Sequence, residues 1–213
     1  MPFADMGHAD WAEDRIRAFE ALVRRLAQRG LALRVTQARA SAHVLANIDD
    51  SLTAVCAGHF LYGLRSFSAD NGITPQSAPV LRAIRARLIQ VRPIDPGSIR
   101  ADNDPYGSNF EGVARTGVLA IGRTNGMPRS RPDIDAHVLI AGRLARIISV
   151  TLEYTVVDLS GHPDVSPGDM ATIVGEDGGA NLSIQDAVRA QGSSPLDFSI
   201  GLRDLDFRYH TSE

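Results

Sequence analysis

The sequence changes its pattern near residue 75, and this change constrains the fold more than any other feature. Beyond residue 75, stretches rich in β-branched residues alternate with clusters of Pro, Gly, Asn and Asp. This pattern is typical of strands joined by turns. We predict strands over residues 83–93, 116–121, 137–140, 146–159 and 170–174, a long loop over 95–111 and one helix over 183–191. This half of the chain is therefore expected to be mostly β.

The first 74 residues show a different pattern, in which helices and strands alternate. Apolar residues recur at three- and four-residue spacing from Trp11 to Leu26, which predicts an amphipathic helix. After Gly30 we predict a strand over 31–35 and a helix over 41–47, and an apolar run follows over 55–64. Such alternation favours parallel pairing, as in the last units of a βα barrel. The predicted fold class is α+β and mostly β, with a partial βα-barrel segment over 1–74 and a β domain over 75–213.

Charge and cysteine content argue against nucleic-acid binding, membrane contact and a zinc site. The formal net charge is -3 and no basic stripe is present, so nucleic acid is not an expected partner. The first fifteen residues contain four acids and no continuous apolar run, so we expect a cytoplasmic protein without membrane contact. The single cysteine, Cys56, lacks the paired spacing of a zinc site, so no metal site is predicted. Cys56 is either a small core residue or a reactive thiol.

The sequence contains 22 arginines and no lysine. A GC-rich genome is one cause of such a bias. The chemical consequence is the same whatever the cause. A Schiff base to an aldehyde cofactor or a carbonyl substrate requires a lysine amine, and this sequence offers none.

Several short motifs, taken in order along the chain, resemble the C-terminal half of the alanine racemase family. The closest correspondences are Ala40-Ser41-Ala42, VCAGHFLYG at 55–63, IGRTNGMPR at 121–129, VTLEYTVVDL at 150–159, PGDMATIVG at 167–175 and LRDLDFRYH at 202–210. The resemblance implies the last units of a barrel followed by the family's C-terminal β domain. In that family, the C-terminal domain of one subunit closes the barrel mouth of the other.

The departures from the family pattern carry the functional argument. The family's cofactor lysine lies on its first barrel strand, before the part that this sequence resembles. Arg123 stands where the family has its catalytic tyrosine, and an always-charged guanidinium does not accept a proton as a phenolate does. Cys56 replaces the arginine that faces the pyridine nitrogen, and Leu152-Glu153 replaces the substrate-facing Met-Asp pair. The resemblance therefore implies that two-base racemisation is lost.

The family's phosphate ligands are better retained. Ser41, Gly58 and Tyr209 match them in residue type, while His59 replaces an apolar residue in the same cradle. The resemblance thus implies an anion site whose surrounding chemistry is rewritten. Pyridoxal phosphate is not expected as a cofactor of this chain, unless a partner supplies the lysine.

We therefore hypothesise one subunit of a split, heteromeric enzyme whose second polypeptide supplies the missing barrel strands. Arg123 would bind an anionic leaving group, Glu153 would act as general base and Cys56 is a further catalytic candidate. Aziridine or other small-ring formation from an amino-acid-derived intermediate, with loss of sulfate or phosphate, is one such reaction. For Arg123 and for Glu153 the alternative is a surface or interface ion pair. The alternatives for the whole chain are a non-catalytic subunit that stabilises or regulates a barrel partner, or half of a pyridoxal-phosphate racemase whose lysine is on the partner.

Overall fold

The protein is described from a computed structural model, which defines residues 9–64, 80–95, 110–129, 135–189 and 194–210. The chain forms two compact units, Met1–Leu81 and Arg82–Glu213. The boundary predicted at residue 75 falls outside the described residues. Within the described ranges, no helix is both long enough and apolar enough to cross a membrane.

The described residues of unit 1 form three helices and two short strands. In chain order these are α1 (Ala9–Gln28), β1 (Gln37–Ala40), α2 (Ser41–Leu45), β2 (Ala54–Cys56) and α3 (Gly58–Leu61). The two strands are parallel, and they form a two-stranded sheet. Each strand leads into a helix, as the alternating sequence pattern predicts.

Helix α1 confirms the predicted amphipathic pattern. Ala12 and Ile16 are buried on its inner face. Glu20 fixes the helix to the loop before β2, because its carboxylate accepts hydrogen bonds from the Ser51 backbone N–H and hydroxyl, both at 2.6 Å. These bonds lower the pKa of the Glu20 carboxyl. The helix is thus anchored by an apolar stripe and by one polar contact.

One sequence prediction for unit 1 is wrong. Residues 31–35 do not form a strand, and Leu31, Leu33 and Val35 are exposed. Apolar residues alone do not make a strand where no neighbouring backbone pairs with them. The apolar run over 55–64 divides between the end of β2 and helix α3, because an apolar run by itself does not distinguish strand from helix. The helix predicted over 41–47 is present as the shorter α2.

Unit 2 is mostly antiparallel β structure, which confirms the predicted class. Its elements are β3 (Ile84–Pro93), β4 (Arg115–Leu119), a 3-10 turn (Arg123–Asn125), β5 (His137–Ile140), β6 (Arg143–Val150), β7 (Thr155–Asp158), β8 (Met170–Asp177), β9 (Ala180–Leu182), α4 (Ile184–Arg189) and α5 (Pro195–Gly201). Most of the loop predicted over 95–111 lies outside the described residues.

The strands of unit 2 close on themselves. Their order is β3-β4-β7-β6-β5-β8, and β8 pairs back to β3 while β9 is added beside β8. Closure is possible because β3 pairs with β8 over its first half, from Ile84 to Arg87, and with β4 over its second half. Strand β6 likewise pairs first with β5 and then with β7.

The core of unit 2 lies inside this closed sheet. Alternate residues of β3 are buried, as expected for a strand with one face to the core. The fully buried side chains include Leu88, Leu119, Ile121, Val138, Leu139, Val157, Leu159 and Ile173. Each contributes roughly 1.5–3 kcal/mol of favourable burial.

One sequence prediction for unit 2 needs correction. The strand predicted over 146–159 is a hairpin of β6 and β7, because the chain reverses at 151–154. Helix α4 is present, and residues 190 and 191 of the predicted helix lie outside the described residues. Its start is as predicted, since the Asp186 N–H donates to the Ser183 hydroxyl at 3.1 Å and Ser183 N–H donates to the Asp186 carboxylate at 3.3 Å. Strand β9 and helix α5 were not predicted. Gly192 lies outside the described residues.

Candidate functional site

The loop that follows β4 carries Arg123 and is tied to the turn between β6 and β7. The Arg123 N–H donates to the Thr151 carbonyl at 3.0 Å, and the Thr124 N–H donates to the Leu152 carbonyl at 2.9 Å. The Thr124 hydroxyl donates to the same Leu152 carbonyl at 2.9 Å. The backbone that presents Arg123 is therefore fixed to the backbone that presents Glu153.

Gly122 allows these two segments to approach. Its backbone is extended, with φ -147° and ψ -161°, so the glycine is not required by its torsion angles. It is required by space, because a Cβ atom here would lie 2.4 Å from the Leu152 carbonyl oxygen and 2.5 Å from the Glu153 carbonyl carbon. Only a residue without a side chain fits.

The other side of the Arg123 loop is held by the C-terminal segment. The Asn125 side-chain oxygen accepts from the Gly122 N–H at 3.0 Å, and the Arg203 N–H donates to the Asn125 carbonyl at 3.4 Å. Gly126 has a left-handed φ of 98° and packs against Gly201, where a Cβ atom would lie 2.6 Å from the Gly201 carbonyl oxygen. The loop is thus fixed on both sides.

Arg123 and Glu153 project from adjoining segments at one end of the closed sheet. Both residues are exposed. Neither takes part in any ion pair among the described residues. The arrangement presents the Arg123 guanidinium and the Glu153 carboxylate to solvent from two backbone segments that are hydrogen-bonded to each other.

Four of the other predicted site residues lie in unit 1. Ser41 is the first residue of α2, directly after β1, and Gly58 is the first residue of α3, just after β2. Because the strands are parallel, both positions lie at the same edge of the sheet. Ser41 is buried, and its hydroxyl oxygen accepts a hydrogen bond from the Phe60 N–H at 3.1 Å. Gly58 is exposed, with open space beside it.

Cys56, His59 and Tyr209 occupy different environments. Cys56 ends β2 and is exposed, so it is not a core residue. His59 lies on α3 and is half-buried. Tyr209 belongs to unit 2 and is 91% exposed in the segment after α5. The structure therefore groups Ser41, Gly58, Cys56 and His59 at one edge of unit 1, and it groups Arg123 with Glu153 in unit 2.

His43 is a buried titratable residue that the sequence reasoning missed. It lies on α2 and is 2% exposed. Its Nδ1 accepts a hydrogen bond from the Ala40 N–H at 3.3 Å, so the ring proton is on Nε2. Burial lowers the pKa of His43, and nearby Arg39 lowers it further. A single histidine at a helix start gives no periodic signal, so nothing in the sequence distinguished it.

A buried ion pair joins β1 to the loop before β2. Arg39 Nε lies 2.9 Å from Asp50 Oδ2, and the Asp50 side chain is fully buried. Asp49 lies 3.7 Å from the Arg39 guanidinium but is 97% exposed. Arg39 also donates to the Ile48 carbonyl at 3.0 Å. These contacts fix the loop that links the two βα units.

A second buried histidine lies in unit 2. His162 is 4% exposed. Burial lowers its pKa, while a backbone contact with Arg143 raises it in part. Arg115 holds the surrounding turn, because its guanidinium donates to the carbonyls of His162, Pro163 and Val165. Across the described ranges, no His, Cys, Asp and Glu cluster is suited to hold a metal ion.

The comparisons with known proteins agree with this architecture, a closed antiparallel β domain preceded by βα units. The family model "Alanine racemase, C-terminal domain" matches residues 82–205. Since this match covers more than half of the chain, the chain belongs to the alanine racemase family through that domain. The sequence-based resemblance is thereby confirmed.

Individual relatives give the extent of the similarity. The alanine racemase of Xanthomonas campestris is 32% identical over 122 residues, which are 56% of this chain and 32% of that protein. The chain spans about a third of the length of the curated relatives that it matches first.

Solved structures extend the likeness of fold to nearly the whole chain. The alanine racemase from Streptomyces coelicolor matches with a TM-score of 0.71 at 24% identity, over 95% of this chain and 53% of that one. The alanine racemase from Bartonella henselae, solved with covalently bound pyridoxal phosphate, matches with a TM-score of 0.66 at 22% identity, over 93% and 51%. At these identities the likeness shows the fold alone.

Proposed function

We propose that this chain is one subunit of a split, alanine-racemase-like enzyme in which a second polypeptide supplies the remaining barrel strands. The supporting observation is the sheet of unit 1, since β1 and β2 pair only with each other among the described residues. A two-stranded parallel sheet leaves backbone donors and acceptors unpaired on both outer edges, and closure into a barrel pairs them. The assembly is a heterodimer or a heterotetramer.

The residues of this chain fit pyridoxal phosphate only in part. Ser41 keeps a hydroxyl hydrogen for a phosphate while its oxygen accepts from Phe60 N–H. The aldehyde of the cofactor, however, needs a lysine amine, and the sequence contains no lysine. The side chains of this chain therefore do not hold the cofactor covalently.

The relation of Arg123 to Glu153 carries the proposed chemistry. A guanidinium binds sulfate or phosphate through two parallel hydrogen bonds and by charge, and a carboxylate on the adjoining turn can take a proton. In a small-ring closure, a substrate nitrogen forms a C–N bond to a carbon bearing sulfate or phosphate. The C–O bond breaks, its electrons leave with the anion bound by Arg123, and the nitrogen loses its proton to Glu153.

The test is turnover by this chain copurified with the product of a neighbouring reading frame. Sulfated and phosphorylated amino acids are supplied, and the release of free sulfate or phosphate is measured. We expect Arg123→Ala to lower the rate by about 100-fold or more, as for the loss of a group that stabilises developing charge. Arg129→Ala, at an exposed arginine of the same motif, is the control. Unchanged turnover in Arg123→Ala removes the proposed role.

Cys56 is tested in the same assay. As an exposed thiol at the end of β2, it is proposed to face the substrate. Cys56→Ser keeps the size of the side chain but not its nucleophilicity, so a large loss of rate supports a catalytic role. If the partner turns over substrate fully without this chain, the chain is a non-catalytic stabilising subunit instead.

The position of Ser41 favours one second candidate, half of a pyridoxal-phosphate racemase whose lysine is on the partner. Ser41 and Gly58 share the sheet edge where the family resemblance implies a phosphate. The absorbance spectrum of the purified complex distinguishes this candidate. A band of an internal aldimine supports it, and a colourless complex that releases sulfate or phosphate supports the first proposal.

A further inference from the structure

A cavity of about 390 Å³ lies within unit 1, between α1, β1 and α2, and the proposed chemistry does not use it. Trp11, Ile16 and Phe19 give it an apolar wall, and Arg15, Gln37 and His43 add polar groups. Its size falls in the range of small-molecule sites, which combine apolar walls with a few placed polar groups.

The polar groups of the cavity favour a ligand that accepts hydrogen bonds. None of the lining residues is acidic. His43 is 2% exposed, and because its Nδ1 already accepts from the Ala40 N–H, the neutral ring carries its proton on Nε2, which is then a hydrogen-bond donor. The Arg15 guanidinium is a cationic donor. Charge complementarity therefore favours an anion.

The aromatic residues favour a flat ligand. The Trp11 ring is 47% exposed, and the Arg15 guanidinium lies 5.6 Å from its centroid. Phe19 lies on the same wall. Aromatic pairs gain roughly 0.5–1.5 kcal/mol beyond the burial of their area. A ring that enters beside Trp11 would bring an attached acid group close to Arg15.

We propose that this cavity binds a small aromatic carboxylate, with its ring against Trp11 and Phe19 and its carboxylate accepting hydrogen bonds from Arg15 and His43 Nε2. This site is independent of the Arg123 loop, because all of its residues belong to unit 1. The proposed binding site can therefore be tested separately from the proposed enzyme reaction.

Trp11 is the only tryptophan of the chain, so its fluorescence reports directly on the cavity. The full-length protein is titrated with 3-phenylpropionate, and with 3-phenylpropylamine and cyclohexanepropionate as matched controls for charge and for aromaticity. We expect a saturable fluorescence change with 3-phenylpropionate and a Kd below about 1 mM. The amine is expected not to bind, and the cyclohexane acid to bind more weakly.

Two arginine variants of the same helix complete the experiment. Arg15→Gln should raise the Kd by about tenfold, since a charge-assisted contact is lost. Arg24→Gln, at an exposed residue outside the cavity lining, should leave it unchanged. Circular dichroism verifies that both variants fold. Equal affinity of acid and amine, equal Kd values for the two variants, or no saturable change with any of the three compounds would each overturn the proposal. If none of the three compounds gives a saturable change, the result would instead favour a cavity that another polypeptide fills.

Discussion

Gly122 packs its Cα against the carbonyl of Leu152, so closely that a methyl group at Gly122 would lie 2.4 Å from the Leu152 oxygen. The same contact fixes the Arg123 loop to the turn that carries Glu153. A small side chain at this one position should therefore separate the two candidate residues.

Gly122→Ala is expected to lower the free energy of unfolding by about 2 kcal/mol, because a buried backbone contact must move to admit the methyl group. Gly161→Ala is the matched control, since a Cβ atom there meets nothing within 4 Å, and it should change stability by less than about 0.5 kcal/mol. Urea unfolding followed by circular dichroism measures both. Similar values for the two variants would show that the contact is looser than described.

Arg115 should contribute to stability through carbonyl groups alone. Arg115→Met keeps the stem of the side chain but removes the bonds to three carbonyls, and we expect a loss of about 2 kcal/mol. Among the described residues, Arg143→Met removes one side-chain bond, to the Gly161 carbonyl at 2.9 Å, and should cost clearly less. Thermal unfolding ranks the variants. The prediction is wrong if Arg143→Met is the more destabilised protein.

Asp50 and Asp49 form a matched pair beside Arg39. Asp50→Asn leaves the Arg39 charge half-covered without its buried carboxylate, and we expect a loss of about 3 kcal/mol. Asp49→Asn removes a carboxylate that is 97% exposed and 3.7 Å away, so no measurable change is expected. Trp11 fluorescence follows the unfolding of unit 1. A larger effect at Asp49 would contradict the assignment of Asp50 as the partner of Arg39.

His162 should make unit 2 less stable in acid. The pKa of the buried ring is below its ordinary value of 6.5, so the unfolded chain binds a proton as the pH falls below about 6.5 while the folded chain does not. The free energy of unfolding is therefore highest above the pKa that His162 has in the unfolded chain. It decreases as the pH falls from there to the lower pKa of the folded chain, by at most about 1.4 kcal/mol per pH unit. His162→Leu should flatten this decline relative to wild type in urea unfolding at several pH values. The exposed His210→Gln variant should not, and equal slopes in all three proteins would refute the prediction.

The two halves of the chain differ in how well their sequence predicts their structure. Helix α1 follows from apolar spacing, and the capped start of α4 follows from Ser183 and Asp186, because both signals are local. The apolar residues 31–35 predict a strand, but strand formation also depends on a neighbouring backbone, which a local pattern does not reveal. The reversal at 151–154 was missed because the β-branched residues of β6 and β7 together resemble one long strand.

The candidate site shows the same division. Arg123 and Glu153 were identified separately, from the motifs on which the family resemblance rests. Their adjacency depends on the approach of Gly122 to Leu152 across the sheet, and no local pattern contains that contact. His43 and Asp50 were missed because a buried polar residue looks like a surface residue until its surroundings are known.

The double pairing of β3 has a consequence for the independence of unit 2. Because β3 pairs with both β4 and β8, the closed sheet has no free edge strand there from which pairing could be lost one strand at a time. The amides of β3, β4, β6 and β8 should then exchange with deuterium together, as one cooperative block. Such a block can stay folded when the short two-stranded sheet of unit 1 opens.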